Sequence, residues 1–267
     1  MTTQLLFYAN AIPVSSERHR DLSIKAGRDY SFAAKTNSVP LTAVEFQRAA
    51  AEYAIVFAGA GDSIMPVAVL GSAADQNLFV KDDGTWDGKY VPAFVRRYPF
   101  VFSSTDQGKT FTLCVDEVFN GCNRDGRGER LFDASGERTQ YLQTVLSFLQ
   151  DYQAHFQRTK AFCARLNELG LFEPMQAQFT LPDGERKNLT GFMVVSRAKL
   201  KALDDAVLAG MVRSDEMEMI FLHLQSMQNF GNMLQRIGAK PATTGAEAAS
   251  EASELTADED AAPPVAH

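Results

Sequence analysis

The chain has 267 residues, of which 45% are hydrophobic and 22% are charged, a composition typical of a globular protein with a sizeable core. Its net charge of −7 arises mainly from the segment 241–267, which carries six acidic residues and no Lys or Arg. Residues 1–240 contain 27 acidic and 26 basic residues. This nearly neutral part has no excess of positive charge that would attract nucleic acid or anionic lipid, so we predict neither as a partner.

The N-terminus and the cysteines predict the compartment of the protein. The stretch MTTQLLFYANAIPV has no basic region before its apolar residues, unlike a signal peptide. No window approaches the roughly 20 apolar residues of a membrane-spanning helix. Cys114, Cys122 and Cys163 form an odd set without CxxC spacing, which is typical of reduced thiols. We therefore expect a cytoplasmic protein without a membrane span.

Short apolar runs separated by turn residues predict strands in the first half of the chain. These runs are AIVFAG at 54–59, MPVAVL at 65–70, NLFV at 77–80, FVFS at 100–103 and TFTLCVD at 110–116. The sequence DQG between the last two runs predicts that they form a hairpin.

Two short helices are predicted between these strands. TAVEFQRAAAEY begins with Thr42 and Glu45 at the spacing of a capping box. YVPAFVRRY has Pro92 near its start, where a helix tolerates proline, and Pro99 directly after it, where proline ends a helix.

The second half of the chain has a more helical pattern. Apolar side chains recur at intervals of three and four from residue 139 onwards and stop at Gly170, which predicts a long amphipathic helix. Two or three more strands are predicted around QAQFTL and GFMVVS, on either side of a PDG turn. A last helical region is predicted over 204–236, with a break at 210–214.

Together these elements predict an α+β fold. We expect short strands in an antiparallel or mixed sheet, a long amphipathic helix and a C-terminal helical region, all in a single domain over residues 1–240. The segment 241–267 is rich in Ala, Glu, Thr and Pro and has no aromatic residue. It cannot bury enough apolar surface to offset the entropy of ordering, so we predict a disordered acidic tail.

The glycine-rich sequence FAGAGDS at 57–63 follows a predicted strand and suggests a dinucleotide loop. Its third glycine position is occupied by Ile64, and the next segment has the pattern of a strand rather than of a pyrophosphate-binding helix. We therefore interpret FAGAGDS as a turn between two strands, and we predict no cofactor.

The histidines do not predict a metal site. His155 and His223 lie in apolar helical segments without a second ligand at a metal-binding spacing. A lone histidine of this kind is more often a hydrogen-bonded core residue. His19, beside a predicted strand, and His223 are kept as candidates for a pocket.

Asp116 and Glu117 are adjacent carboxylates at the end of a predicted strand. Neighbouring side chains of a strand point to opposite faces, so the two do not form a paired general acid and base. One of them is expected to face the protein interior.

The most apolar neighbourhood, WDGKYVPAFVRRYPFVF, contains the single tryptophan, Trp86, and the adjacent Arg96 and Arg97. On a helix these arginines differ by about 100°, so both cannot be buried equally. We expect one to reach water and the other to pair with Asp116 or Glu117, or to stack on Trp86 or a tyrosine. The alternative is that the second arginine faces a cleft and binds a carboxylate or phosphate.

At this stretch the sequence resembles the SapC family of bacterial proteins. The likeness covers nearly all of residues 5–236 and ends before the acidic tail. It is carried by segments in the same order along the chain: HRDLSIKAGRDYSFA, VPLTAVEFQRAAAEYAIVFAG, WDGKYVPAFVRRYPFVF, FTLCVDE, LFDASGERTQYL, TKAFCARLNELGLFEP and LPDGERKNLTGFMVVSRAKLKAL.

The resemblance implies a connection with surface-layer proteins of Gram-negative bacteria. It also implies a gene that lies near those of outer-membrane receptors and flavin-dependent halogenase-like proteins. It supplies no catalytic residues. The first hypothesis is thus a non-catalytic accessory protein that binds a protein or peptide, for which an exposed apolar patch over 86–102 would be evidence.

The second hypothesis is an enzyme, or a partner subunit of one, that acts on a small molecule or peptide in an arginine- and carboxylate-lined pocket. The candidate binding residues under the two hypotheses are Trp86, Arg96, Arg97, Asp116, Glu117, His19 and His223.

Overall fold

A computed structural model of the chain describes residues 5–25, 27–104, 110–181, 184–237 and 240–241. The described residues form eight α-helices: α1 Ser16–His19, α2 Phe46–Ala49, α3 Ala93–Arg96, α4 Gln140–Glu168, α5 Arg197–Lys201, α6 Asp205–Arg213, α7 Glu216–Ser226 and α8 Asn229–Arg236. They also form twelve strands: β1 Ala11–Pro13, β2 Ser23–Ile24, β3 Ser38–Pro40, β4 Ile55–Ala58, β5 Met65–Val69, β6 Phe100–Ser103, β7 Thr112–Asp116, β8 Cys122–Asn123, β9 Glu129–Arg130, β10 Phe172–Thr180, β11 Arg186–Val195 and β12 Lys240–Pro241. The predicted α+β class is confirmed.

The largest sheet has six strands in the order β12-β10-β11-β4-β5-β3, and all its pairings are antiparallel. Successive side chains of β4 alternate between two clusters, as the pleat requires. Ile55 and Phe57 belong to the largest apolar core, together with side chains of α2, α4 and α7, whereas Val56 packs with Phe192 and Phe230. Both faces of the sheet are therefore covered.

Two three-stranded antiparallel sheets, β1-β7-β6 and β8-β2-β9, form the other part of the molecule. Their core contains Phe100, Val115 and Leu131. The predicted hairpin of β6 and β7 is confirmed by the register that pairs Phe100 with Val115. Its predicted turn, DQG, lies outside the described residues.

Helix α4 joins the two parts. The Thr139 hydroxyl accepts a hydrogen bond from the N–H of Leu142 and caps the first turn. Leu142 packs in the core of the smaller sheets, and Phe162 packs in the core of the large sheet. Gly170, at φ 66°, ends the helix in a left-handed conformation, as predicted from its position.

Some predicted elements differ from the structure. NLFV forms no strand: the side chain of Asn77 donates to the carbonyl of Ala33 and accepts from the N–H of Phe79, which folds the segment into a turn. Only an isolated bridge joins Val80 to Trp86. The C-terminal helical region breaks at 214–215, so it overlaps the predicted interval 210–214 only at its last residue, and it breaks again at 227–228, which was not predicted. The tail from residue 242 onwards lies outside the described residues.

Candidate functional site

Helix α3 positions the two adjacent arginines. Pro92 precedes it and Pro99 follows closely, so the helix is limited to one turn. Phe94 is 1% exposed and anchors this turn in the large core. The N–H of Arg97 donates to the carbonyl of Ala93 at 3.0 Å, which places Arg97 directly at the end of α3.

Arg97 is the buried member of the pair, at 3% exposure. The guanidinium carbon lies 4.1 Å from the centre of the Phe94 ring, 5.2 Å from that of Tyr152 and 5.8 Å from that of Tyr8. Burial raises the pKa of Tyr8, and the charge of Arg97 and its hydrogen bond to the tyrosine act in the opposite direction. One arginine is therefore buried and stacks on tyrosines, which was one of the two predicted arrangements.

Arg96 is exposed. Its Nε donates to the carbonyl of Val91 at 3.0 Å, and its guanidinium carbon lies 5.3 Å from the ring centre of Phe148 and 5.8 Å from that of Tyr90. The Tyr90 hydroxyl donates to a carboxylate oxygen of Glu45 at 2.7 Å. Two rings and a backbone carbonyl therefore orient the Arg96 head at the surface.

A partly open pocket of about 450 Å³ lies beside the two arginines, and we call it the Arg96 pocket. Asp29 lies at its rim, where its carboxylate accepts from the N–H and hydroxyl of Ser31. A large part of its wall is aromatic, and the rings are those of Tyr30, Phe32, Tyr98, Phe100, Phe119, Tyr141 and Phe148. It combines an apolar interior with one exposed guanidinium.

The rings of this wall touch one another. Phe32 and Tyr98 stack with ring centres 4.2 Å apart, and Phe119 meets Tyr98 edge-on at 5.3 Å. Burial raises the pKa of Tyr98, and the neighbouring Asp116 carboxylate raises it further. Burial also raises the pKa of Tyr141 to about 12. Both phenols are therefore protonated at neutral pH.

Asp116 lies behind the wall and has no exposed surface. Its carboxylate accepts hydrogen bonds from the N–H groups of Ala9, Asn10 and Val118 at 2.8, 3.1 and 3.2 Å, and from the Tyr98 hydroxyl at 3.3 Å. It therefore fixes the segment before β1 and one ring of the pocket at the same time. The expectation that one of the two adjacent carboxylates faces inward is met by Asp116.

Glu117 has separate partners. Arg18 binds it through two hydrogen bonds of 2.7 Å, from Nε and Nη2, and Nε2 of His19 lies 3.1 Å from Oε1. The hydrogen bonds and charge of Arg18 lower the pKa of Glu117 to about 2. His19 is fully buried, and its Nδ1 contacts the backbone N–H of Ser15 at 3.1 Å. Both ring nitrogens of His19 are therefore engaged by protein groups.

His223 is fully buried and connects two strands. Its Nδ1 lies 2.7 Å from the carbonyl of Ile55 in β4, and its Nε2 accepts from the N–H of Val195 in β11 at 3.1 Å. These bonds define a neutral ring with the proton on Nδ1. Burial lowers the pKa of His223 to about 4.

Trp86 is half-buried behind the pocket. Its indole N–H donates to the Tyr53 hydroxyl at 3.0 Å, and its ring meets Tyr30 edge-on at 5.6 Å and stacks near Phe79 at 6.1 Å. The described residues around Trp86 and α3 are largely buried, so this stretch does not form the exposed apolar patch considered above. Trp86 supports the wall through Tyr30.

The structure thus brings Arg96 and Arg97 to one pocket, with Trp86 and Asp116 directly behind its wall. It does not bring His223 to that pocket, and Glu117 pairs with Arg18 and His19 instead of an α3 arginine. Sequence reasoning missed the aromatic wall. The one feature of the sequence that pointed to this wall was the abundance of aromatic residues, which lie in separate segments without a regular spacing.

The described residues contain no cluster of three His, Cys, Asp or Glu side chains that could hold a metal ion. The three cysteines are free thiols, and burial raises the pKa of Cys122 to about 11 and that of Cys163 to about 12. In the same residues, no helix is both long and apolar enough to cross a membrane.

The molecule is an α+β protein with an aromatic pocket that carries an exposed arginine. The family model described as SapC matches residues 14–233, most of the chain, so the protein belongs to the SapC family. No curated protein and no solved structure matches it.

Proposed function

We propose that this SapC-family protein is a non-catalytic, cytoplasmic accessory protein that binds a protein or peptide segment in the Arg96 pocket. The observation that carries this proposal is an exposed guanidinium, oriented by Phe148 and Tyr90, at the rim of a pocket with aromatic walls. Such a site accepts an apolar or aromatic side chain that lies close to a carboxylate.

Each part of the site favours this ligand. Aromatic residues and arginine are the side chains most enriched at the energetic centres of protein interfaces. The Nη groups of Arg96 can form a two-point contact with a carboxylate, because its Nε is already bonded to Val91. Phe32 and Tyr98 provide a rigid stacked surface for an inserted side chain.

The ionisable groups favour binding over proton transfer. The phenols of Tyr98 and Tyr141 have raised pKa values and hold their protons at neutral pH. The rim carboxylate of Asp29 is engaged by Ser31. Both ring nitrogens of His19 and of His223 contact protein groups, so neither ring presents a nitrogen to a substrate.

The family supports a connection of the partner with the cell surface or with uptake across the outer membrane, because SapC-like proteins are associated with surface-layer proteins and are encoded near outer-membrane receptors. A second candidate function uses the same pocket for a small molecule, either as an enzyme or as a subunit of one. The pocket volume of about 450 Å³ favours it, since it lies within the range of small-molecule sites.

These functions can be distinguished by purifying the wild-type protein and the Arg96→Glu variant from the native host and comparing what each retains. Arg213→Glu is the matched control, because Arg213 is also exposed but lies at the end of α6, away from the pocket. We expect native mass spectrometry to show a protein or peptide that stays with the wild type and with Arg213→Glu and is lost from Arg96→Glu.

A small molecule with the same dependence on Arg96 would instead support the second function. Equal retention of every bound species by the wild type and Arg96→Glu would refute a role for the Arg96 pocket in both.

A further inference from the structure

The turn between β4 and β5 has a fixed shape. Gly59 has φ 107°, and a Cβ there would lie 2.4 Å from the carbonyl oxygen of Ser63, so only glycine fits. The Ser63 hydroxyl donates to the carbonyl of Ala60 at 2.7 Å and accepts from its N–H at 3.1 Å. Asp62, in the centre of this turn, takes no part in these bonds, so the turn fixes its backbone position and leaves its carboxylate unused.

Between this turn and α4 lies a cavity of about 550 Å³, which we call the Asp62 cavity. Its lining is mainly apolar and comes from four separate parts of the fold. Pro40 and Val67 belong to neighbouring strands of the large sheet, Phe94 belongs to α3, and Phe156 belongs to α4. This volume is sufficient for a small molecule with an apolar body.

Two opposite charges line the same cavity. Lys160 follows Phe156 by one helical turn, so both lie on one face of α4. Asp62 approaches from the β4–β5 turn. Within the described part of the chain, the side chains of Asp62 and Lys160 form no hydrogen bond and no ion pair, with each other or with any other residue. Both charged groups are therefore available to a ligand.

We propose that the Asp62 cavity binds a small zwitterion with an apolar body, of which a free apolar amino acid is the simplest example. The carboxylate of Asp62 pairs with the ligand's ammonium group, and the ammonium of Lys160 pairs with its carboxylate. The apolar body then packs against Phe94 and Phe156. An anion or a cation alone would gain one partner and be repelled by the other, so the charge pattern selects a zwitterion.

This site is independent of the proposed function. The Asp62 cavity shares no lining residue with the Arg96 pocket, although Phe94 of one and Val95 of the other are neighbours on α3. Loss of ligand binding at one site leaves the lining of the other unchanged.

The probe that tests the proposal is L-phenylalanine, compared with its amide, which lacks the negative charge, and with N-acetyl-L-phenylalanine, which lacks the positive charge. Calorimetric titration of the full chain should show L-phenylalanine binding with Kd of about 1 mM or tighter. Each analogue should bind at least about tenfold more weakly, because it loses one charge-assisted contact.

The variants are Asp62→Asn and Lys160→Met, with Lys201→Met as the control for an exposed lysine outside the cavity. Each cavity variant should weaken L-phenylalanine binding by about tenfold or more, and the control should bind as the wild type does. In Lys160→Met, amidation of the ligand should no longer reduce affinity, because the partner of the ligand carboxylate is absent.

Three results would overturn the proposal. The first is no saturable binding of L-phenylalanine at concentrations of about 10 mM. The second is equal affinity for L-phenylalanine, its amide and its N-acetyl derivative. The third is unchanged affinity for L-phenylalanine in both Asp62→Asn and Lys160→Met. Asp62 and Lys160 are exposed and form no contacts that the fold needs, so a loss of binding in these variants can be assigned to the site.

Discussion

The guanidinium carbon of Arg97 lies 4.1 Å from the centre of the Phe94 ring, one helical turn earlier on the chain. A fixed positive charge is thus stabilised inside an apolar region by the electron-rich faces of aromatic rings. Arg96, the residue directly before Arg97, lies at the surface instead. Arg97 therefore contributes to the stability of the site, whereas Arg96 faces solvent and can contact a ligand.

This division predicts different effects for the two alanine variants. Arg97→Ala removes the buried cation and its ring contacts, and should destabilise the protein by about 2 kcal/mol or more. In a chain of this size that corresponds to a Tm lowered by about 4 °C or more. Arg96→Ala should change the Tm by about 1 to 2 °C at most. Differential scanning calorimetry of both variants checks this, and equal Tm values would contradict the assignment.

Asp116→Ala should loosen the N-terminal segment. The substitution leaves the N–H groups of Ala9 and Asn10 without their acceptor, so we expect a loss of about 3 kcal/mol. Hydrogen exchange of those two amides should accelerate together with the fall in stability. Asp125→Ala is the control, because Asp125 is exposed and should change stability by about 0.5 kcal/mol at most. Unchanged exchange at Ala9 and Asn10 would show that Asp116 does not hold this segment.

The lowered pKa of Glu117 predicts that the folded protein loses stability in acid. Its pKa is about 2 in the folded protein and 4.5 ordinarily, so its stabilising effect is complete above pH 4.5 and is lost as the pH falls towards 2. Thermal unfolding across this window should show a steeper fall in Tm for the wild type than for Glu117→Gln. In addition, Arg18→Leu should raise the pKa of Glu117 in a carboxyl titration followed by NMR. An unchanged pKa of Glu117 in Arg18→Leu would mean that Arg18 is not the main cause of its lowered value.

His223 acts in a higher pH window. Its pKa is about 4 in the folded protein and 6.5 ordinarily, so the unfolded chain takes up a proton below pH 6.5 that the folded protein does not yet bind. The stability due to the neutral ring is complete above pH 6.5. It should fall by about 3 kcal/mol as the pH drops towards 4.

The variant for this test is His223→Gln, which removes the titrating ring, with His155→Gln as the control for a histidine that is only half-buried. Denaturant unfolding at several pH values between 4 and 6.5 measures the slope. We expect a shallower dependence on pH in His223→Gln than in the wild type and His155→Gln. Identical slopes in all three proteins would show that His223 does not titrate with a lowered pKa.

Local sequence patterns are sufficient to predict the elements whose structure depends on residues close in the chain. The three-four periodicity of α4, the apolar runs of β4 and β5, and the opposite placement of Arg96 and Arg97 all follow from spacings within one element. NLFV was assigned wrongly as a strand because the Asn77 side chain bonds to Ala33, 44 residues away, and so overrides the strand propensity of the run.

The candidate site was less accessible to prediction, because it is assembled from distant segments. Asp116 binds the N–H of Ala9 across 107 positions of sequence, and Arg18 binds Glu117 across 99. No periodicity encodes such a pairing. The wall of the Arg96 pocket combines Phe32, Tyr98 and Phe148, whose spacing in sequence reflects the fold alone.

The bonds that join β4 to α7 have a consequence for synthesis of the chain. The N–H of Ile55 donates to the Ser226 hydroxyl, and its carbonyl contacts Nδ1 of His223, so a central strand takes both partners from residues made about 170 positions later. On the ribosome, β4 emerges long before those side chains exist. The two hydrogen bonds of Ile55 therefore cannot form until α7 has been synthesised, so β4 lacks these native contacts while the intervening residues emerge.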